Sequence, residues 1–228
     1  MTTLGTPRIH RRSTGSTSLD ARALALAGAP HGTLVTALQQ HDGRGRQGRR
    51  WHAPAGSALL CSLVLRDPPR LLSIAAAVAV AELAGRQAAL KWPNDVLLDG
   101  RKVAGILIEG RPQERWAVLG IGVNVAVAIE QMPEELHESA GTLGLGADAI
   151  EPLLARLLEL LEHWLARPPA DVLAAWRERD ALLGLELRWR DGSGTGAGID
   201  EQGRLIVTLA DGSDRALDAG EVHLTQTA

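Results

Sequence analysis

A chain of 228 residues, 45% of them hydrophobic and with a formal net charge of −3, holds enough apolar material for one core domain plus a small appendage. A pI near 6.2 gives no overall basic field, so nucleic-acid binding would need a local patch, and a soluble enzyme fits the balance better. The single cysteine, Cys61, excludes an internal disulfide framework and implies a reducing compartment; no apolar run is long enough for a signal peptide or a membrane span, so the expected address is cytoplasmic.

In chain order, Ser16–Thr17–Ser18 followed by Leu19, Ala23 and Leu26 predicts a short capped helix that ends at Gly28 and Pro30. Thr33–Gln40 and Ser57–Arg66 read as strands joined by a Gly/Arg-rich loop. Cys61 falls in the second of these apolar runs, where core filling is its expected role. Leu71–Gln87, rich in alanine and leucine with Glu82 as its one acid, predicts a helix packed on a sheet. Three strands follow, around Ala89–Leu98, Lys102–Glu109 and Arg115–Val125, with Asp99–Gly100 as a hairpin signal between the first two. Pro152–Ala166 carries Leu153, Leu154, Leu157, Leu160, Leu161 and Trp164 at helical spacing, and Ala170–Leu182 predicts another helix. After Gly184 the pattern changes to five short strands between Gly/Asp turns: Leu185–Arg190, Gly196–Asp200, Arg204–Leu209, Asp214–Leu217 and Glu221–Thr225. The expected architecture is an α/β sheet domain over residues 1–182 and a small β-barrel over residues 183–228.

Composition points to where the chemistry lies. Of 24 basic residues only Lys91 and Lys102 are lysines, and the only asparagines are Asn94 and Asn124. All four fall between positions 91 and 124, less than a sixth of the chain. A compact ammonium and a neutral amide do what arginine cannot, so this segment is the first candidate for a site. Gly43-Arg44-Gly45-Arg46-Gln47-Gly48-Arg49-Arg50-Trp51 sets four arginines among three glycines, bringing guanidinium forks and bare backbone N–H groups against an anion such as a polyphosphate. The competing reading is an arginine/glycine-rich nucleic-acid-binding segment. Lys91-Trp92-Pro93-Asn94-Asp95 is joined by a hairpin to Lys102-Val103-Ala104-Gly105-Ile106-Leu107-Ile108-Glu109, placing a lysine at the head of each strand and leaving bare backbone at Gly105 for a flat ligand. Gly120-Ile121-Gly122-Val123-Asn124 forms an opposite wall.

In this order the three motifs resemble those of the biotin–protein ligase family: an arginine/glycine loop, KWPND, K-x-A-G-I-L and a strand G-x-G-x-N. The resemblance runs from about Ser16 to Val125 and resumes at Gly198-Ile199-Asp200-Glu201-Gln202-Gly203 and Gly220-Glu221-Val222. It implies an α/β (α+β) fold, a class II synthetase-like catalytic domain with a seven-stranded mixed sheet and a small SH3-like C-terminal domain. It implies that biotin and ATP form biotinyl-adenylate and that the biotin then passes to a lysine of a biotin carboxyl carrier protein. Ser16, Thr17, Ser18 and Gln40 are then expected at the ureido head of biotin, with Gly15 and Ser18 departing from the family's usual D-S-T-N. Gly43, Arg44, Gly45 and Arg46 match the loop over biotin and its adenylate, and Gly105 the bare strand beneath it. Lys102 matches the lysine between biotin's carboxylate and the phosphate, where a cation offsets the repulsion of two anions. Arg46, Arg49, Trp51, Lys91, Asn94, Asp95 and Asn124 are expected to face ATP and its Mg²⁺, with no direct metal ligand named. Asp95 is also the expected general base for the carrier amine.

The alternatives are a lipoate–protein ligase of the same fold, for which a different arginine motif is expected, and the nucleic-acid-binding module. Some family members carry an N-terminal winged-helix domain; with fifteen residues ahead of Ser16, a monofunctional ligase without specific DNA binding is the expectation. A homodimer stays open.

Overall fold

The computed structural model describes residues 3–111, 114–218 and 222–224. Strand β1 (Arg8–Arg11) leads through helix α1 (Thr17–Leu26) to strand β2 (Leu34–Ala37), and β1 and β2 pair in parallel. Strand β3 (Ala58–Arg66) follows the arginine loop, and helix α2 (Leu72–Ala84) follows β3. Strands β4 (Ala89–Lys91), β5 (Asp95–Leu98), β6 (Arg101–Arg111) and β7 (Trp116–Asn124) complete a seven-stranded sheet of order β1-β2-β3-β7-β6-β5-β4. Every pairing after β1–β2 is antiparallel, so the sheet is mixed, as the resemblance implied.

Alternation sorts the strands onto two faces. On β7, Leu119, Ile121 and Val123 join the core with Ala104 and Ile106 of β6, while Gly120, Gly122 and Asn124 point to the other side. Helix α2 is buried almost all round, as its alanine-rich sequence requires, between the core face and helix α3 (Ile150–Leu165). Leu154, Leu157, Leu160 and Leu161 of α3 are buried, in agreement with their helical spacing. On the opposite face α1 covers β2, β3 and β7 through Ala21 and Ala25 against Val35, Val64 and Val118.

Several elements differ from the sequence expectation; the strand expected at Gly196–Asp200, for instance, runs over Gly192–Ile199. The single strand over Ala89–Leu98 is two strands, because Pro93 has no N–H for a ladder and Asn94 closes a turn, its carbonyl accepting the Ile106 N–H and its side-chain amide donating to the Ile106 carbonyl. Helix α4 (Pro169–Arg177) stops short of Leu182 because Arg179–Ala181 turns to pair with Leu90 at the edge of β4. Strand β1 gave no signal in the sequence, since Arg-Ile-His-Arg is mostly exposed and shows no apolar alternation.

The C-terminal part is a five-stranded antiparallel sheet: β8 (Glu186–Trp189), β9 (Gly192–Ile199), β10 (Leu205–Thr208), β11 (Asp214–Leu217) and β12 (His223–Leu224), in the order β11-β10-β9-β8-β12. This is the small SH3-like β-domain the resemblance implied; the Gly220–Glu221 pair and Thr225 lie outside the described residues. Its Leu187, Ile199, Leu205 and Val207 join the same buried cluster as α2. The docking turn is Asp200–Arg204, where Trp92 donates its indole N–H to the Gly203 carbonyl at 3.1 Å and Asp200 accepts the backbone N–H groups of Gln202 and Arg204. Gly196 marks the closest approach, since a Cβ there would lie 2.1 Å from the Leu182 carbonyl oxygen. Gly196→Ala is therefore expected to cost about 1–3 kcal/mol, read from the urea midpoint; an unchanged midpoint would mean that the junction is loose.

Candidate active site

The site-facing side of the sheet is a floor bare at its centre, where Gly105 and Gly122 carry no side chains. Gly122 of β7 lies opposite Leu60 of β3 and Gly105 of β6, and Gly105 in turn opposes Asp95 of β5. The spacing G-x-G-x-N thus sends both glycines and the asparagine to the floor and the apolar residues between them to the core. Above the floor is a cavity of about 400 Å³. Fourteen of the sequence-selected residues line it: Thr17, Ser18, Gln40, Arg44, Gly45, Arg46, Arg49, Trp51, Lys91, Asn94, Asp95, Lys102, Gly105 and Asn124. Ser16 and Gly43 do not lie on the wall. Ser16 is the buried N-cap position of α1, and its hydroxyl has no hydrogen-bond partner, so it does not cap the helix. Gly43 is at the neck of the loop, where a Cβ would lie 2.6 Å from the Trp51 carbonyl oxygen.

One end of the cavity is neutral and polar. Gln40 Oε1 accepts the Thr17 backbone N–H at 2.7 Å and its hydroxyl at 3.0 Å. Ser62 of β3, fully buried, donates to Thr17 Oγ1 at 2.9 Å and stands 3.1 Å from Ser18 Oγ.

The arginine loop folds over the floor as a short hairpin. Trp51 N–H donates to the Gly43 carbonyl, Gly45 N–H to the Arg49 carbonyl, and Arg46–Gly48 forms a 3-10 turn with Gln47 at a left-handed φ of 56°. The Trp51 ring rests on the bare backbone, so close that a Cβ on Gly122 would meet its Cε2 at 2.6 Å and one on Gly105 its Cζ3 at 3.1 Å. Lys102 Nζ stands 5.8 Å from the centre of the Trp51 ring and 2.6 Å from Asp95 Oδ1. Residues 139–141 run beside the lysine and hold its backbone at both polar groups, with Lys102 N–H donating to the Ser139 carbonyl and Gly141 N–H donating to the Lys102 carbonyl, each at 2.8 Å. Arg44 reaches along β6 to Glu109 at 2.9 Å, leaving the other carboxylate oxygen, Oε2, buried without a partner.

Both asparagines spend their amide N–H groups on backbone, Asn94 on the Ile106 carbonyl and Asn124 on the Gly141 carbonyl, each at 2.8 Å. Asn124 is 2% exposed and keeps a buried Oδ1 with no partner, an acceptor available to a ligand cation or donor. Ser62, Glu109 and Ser139–Gly141 are site residues that sequence reasoning missed. Only the alternation of β3 and β6, with a serine and a glutamate on otherwise apolar strands, could have marked the first two.

Cys61 of β3 lies at the cavity's edge and is almost fully buried. Burial pushes its thiol up to about 12 against a small opposing pull from Arg8, so the group stays protonated. Iodoacetamide at pH 8 is therefore expected to leave the native protein unlabelled and to modify it only in denaturant; fast native labelling would contradict this burial.

A neutral polar end, an anion-gripping loop and a lysine close to a carboxylate make a pocket suited to activating a small carboxylic acid on a nucleotide, since the two reacting anions need a cation between them. Comparison with known proteins narrows that class. Residues 9–125 match the biotin/lipoate A/B protein ligase family, and residues 190–224 match the biotin protein ligase C-terminal domain. A biotin–(acetyl-CoA-carboxylase) ligase of Mycobacterium tuberculosis is 36% identical, over 92% of this chain and 86% of its own length. A bifunctional ligase/repressor BirA of Bacillus spizizenii is 32% identical, over 95% of this chain and 74% of its own. The solved structure of a biotin protein ligase from Aquifex aeolicus in complex with biotin and ATP superposes with a TM-score of 0.76 at 26% identity, over 97% of this chain and all of that one. The chain belongs to the biotin/lipoate A/B protein ligase family.

Proposed function

We propose that this pocket performs ATP-dependent biotin–protein ligation in two steps. The observation that carries the reading is the glycine floor, with a neutral hydrogen-bonding wall at one end and Lys102 held beside Asp95 over it. Thr17, Ser18 and Gln40 hold the ureido ring of biotin, while Ser16, off the wall, starts the helix that presents Thr17 and Ser18. A carboxylate oxygen of biotin attacks the α-phosphorus of ATP and pyrophosphate leaves; Lys102 draws the two anions together and offsets the charge that develops. No base is needed, since the carboxylate is already ionised. In the second step the amine of a lysine on a biotin carboxyl carrier protein attacks the acyl carbon, AMP leaves, and the amine's proton passes to a base, for which Asp95 is the carboxylate on the wall.

Arg46, Arg49, Trp51, Lys91 and Asn94 face the nucleotide in this reading. Among the described residues no group of three or more His, Cys, Asp or Glu could hold a metal ion. ATP-bound Mg²⁺ needs only one or two protein oxygens beside the phosphates, and the unpartnered Asn124 Oδ1 fits that demand. Mg²⁺ would supply charge neutralisation on the phosphates.

Residues 1–182 carry the chemistry and residues 183–228 form the appended β-domain. No helix among the described residues is long and apolar enough to cross a membrane, and a cytoplasmic site of action goes with the reduced thiol. The edge strand β1 leaves a homodimer open.

The decisive assay is ATP–pyrophosphate exchange with biotin against lipoate. Exchange driven by biotin alone is expected; exchange driven by lipoate would move the chain to the other branch of the family. A formal net charge of −3, without an overall basic field, also predicts that this chain binds duplex DNA only weakly at low salt and not at physiological salt. A nanomolar, sequence-dependent mobility shift would refute that.

A further inference from the structure

We propose that Ser62, buried in β3, is a specificity-determining positioning residue, because it fixes the proton of Ser18 so that Ser18 meets the ligand only as an acceptor. The proposal rests on the reading of this wall as the biotin head pocket.

One group in this wall has a role that cannot change. The Thr17 backbone N–H can only donate, so the Gln40 atom 2.7 Å away is the carbonyl oxygen and the amide nitrogen points elsewhere. The same oxygen receives the Thr17 hydroxyl at 3.0 Å, which uses that hydroxyl's one proton. Ser62 Oγ, 2.9 Å from Thr17 Oγ1, must therefore be the donor in that pair. Its one proton is then spent, so in the 3.1 Å contact between Ser18 and Ser62 it is Ser18 that donates. All four bonds run one way, from Ser18 through Ser62 and Thr17 to Gln40. Ser62, Thr17 and Ser18 are 0%, 3% and 6% exposed, which leaves little room for water to reverse the order.

The pocket therefore has a fixed polarity. Ser18 offers only lone pairs and needs an N–H from the ligand. Gln40 offers its amide N–H groups beside Gly43, where its nitrogen would be 3.1 Å from a Cβ, and it needs a ligand acceptor. A cyclic urea has N–H beside C=O and satisfies both; a dithiolane satisfies neither, and a site built around hydrogen bonds rejects analogues that lack them. Gly120 belongs to the same device: it is the cross-strand partner of Ser62, and a Cβ there would meet Ser18 Oγ at 2.5 Å.

The test uses pyrophosphate exchange with the full chain and the variants Ser62→Ala, Ser62→Thr and Ser62→Val. Ser62→Ala is expected to raise KM for biotin about tenfold, with kcat and KM for ATP unchanged. Threonine and valine have one shape and differ in the hydroxyl, so Ser62→Thr should hold KM about tenfold below Ser62→Val. The two cyclic carbamate analogues of biotin, with one ring N–H replaced by oxygen, add a chemical readout. The wild type should reject at least one of them, and Ser62→Ala should narrow that rejection because Ser18 can now turn its proton outward. Ser62 variants that match the wild type, or threonine and valine variants that fall equally, would overturn the proposal. A wild type without biotin-dependent exchange would instead overturn the ligase reading on which it rests.

Discussion

Lys102→Arg is expected to reduce biotin-dependent ATP–pyrophosphate exchange by about two orders of magnitude, the scale for losing one placed electrostatic stabiliser. The substitution keeps the positive charge, so a simple charge argument predicts little change. Geometry predicts otherwise. Lys102 Cε and Nζ would lie 3.2 and 3.3 Å from a Cβ on Gly105, the ammonium is 2.6 Å from Asp95 Oδ1, and the backbone N–H and C=O are both held, by Ser139 and Gly141. The strand cannot retreat to admit a longer group. A planar guanidinium on that fixed backbone overshoots the point where carboxylate and phosphate must meet, and its fork favours a bidentate grip on Asp95. Binding of ATP alone should change far less than exchange, because Arg46, Arg49 and Lys91 also line the cavity. Exchange within about threefold of the wild type would show that Lys102 does not stand between the reacting anions.

The sequence made the bare backbone and the loop legible because their requirements are local. Glycines alternate with apolar residues on β7 and Gly105 interrupts the apolar run of β6, so the bare backbone could be read from the sequence; that the two strands pair side by side as one floor, rather than standing as opposite walls, could not. The arginine loop was legible because no core needs four arginines among three glycines. Residues that act through long-range contact were not legible. Ser62 looks like one polar interruption in an apolar strand until β3 is paired with β7 and α1 is laid across it. Glu109 follows the K-x-A-G-I-L segment on β6 without a motif of its own, and only the folded loop shows that it holds Arg44. The segment from 126 to 149 has no periodicity and made no element in the sequence reading, yet its Ser139–Gly141 backbone fixes Lys102. Trp92 reads as part of the nucleotide motif, but its indole is 3% exposed and tied to Gly203, so this residue also joins the two sheets. That contact gives the Gly198–Gly203 motif a physical reason: it is a docking turn, held by Asp200, whose carboxyl burial would raise but whose bonds from Arg204 and Gln202 hold low.

Arg46→Gly is expected to make biotinyl-adenylate and to lose it, with release faster by about 10–100-fold, the worth of one or two charge-assisted hydrogen bonds. A mixed anhydride is useful only while it is kept from water and stray amines, so the loop over the floor must act as a lid as well as an anion grip. Arg46 opens the 3-10 turn at the tip of that loop and borders both the main cavity and a groove that runs past Trp92 and Pro93 to Gln202 and Arg204. It therefore stands where the cavity meets the groove. The neck of the loop does not depend on it, because Trp51–Gly43 and Gly45–Arg49 are backbone bonds and Arg44 is tied separately to Glu109. Glycine at position 46 removes the guanidinium and adds backbone freedom to a turn that already carries Gln47 in a left-handed conformation. The lid should then open more often while Lys102, set on β6 and clamped from the other side, still catalyses adenylation. Escaped adenylate acylates whatever amine it meets, so lysines of a bystander protein should become biotinylated by the variant and not by the wild type. The measurement is a biotin blot on an added non-carrier protein beside an off-rate for the adenylate. Wild-type retention with strict selectivity for the carrier would place Arg46 outside the lid and assign its charge to the groove alone.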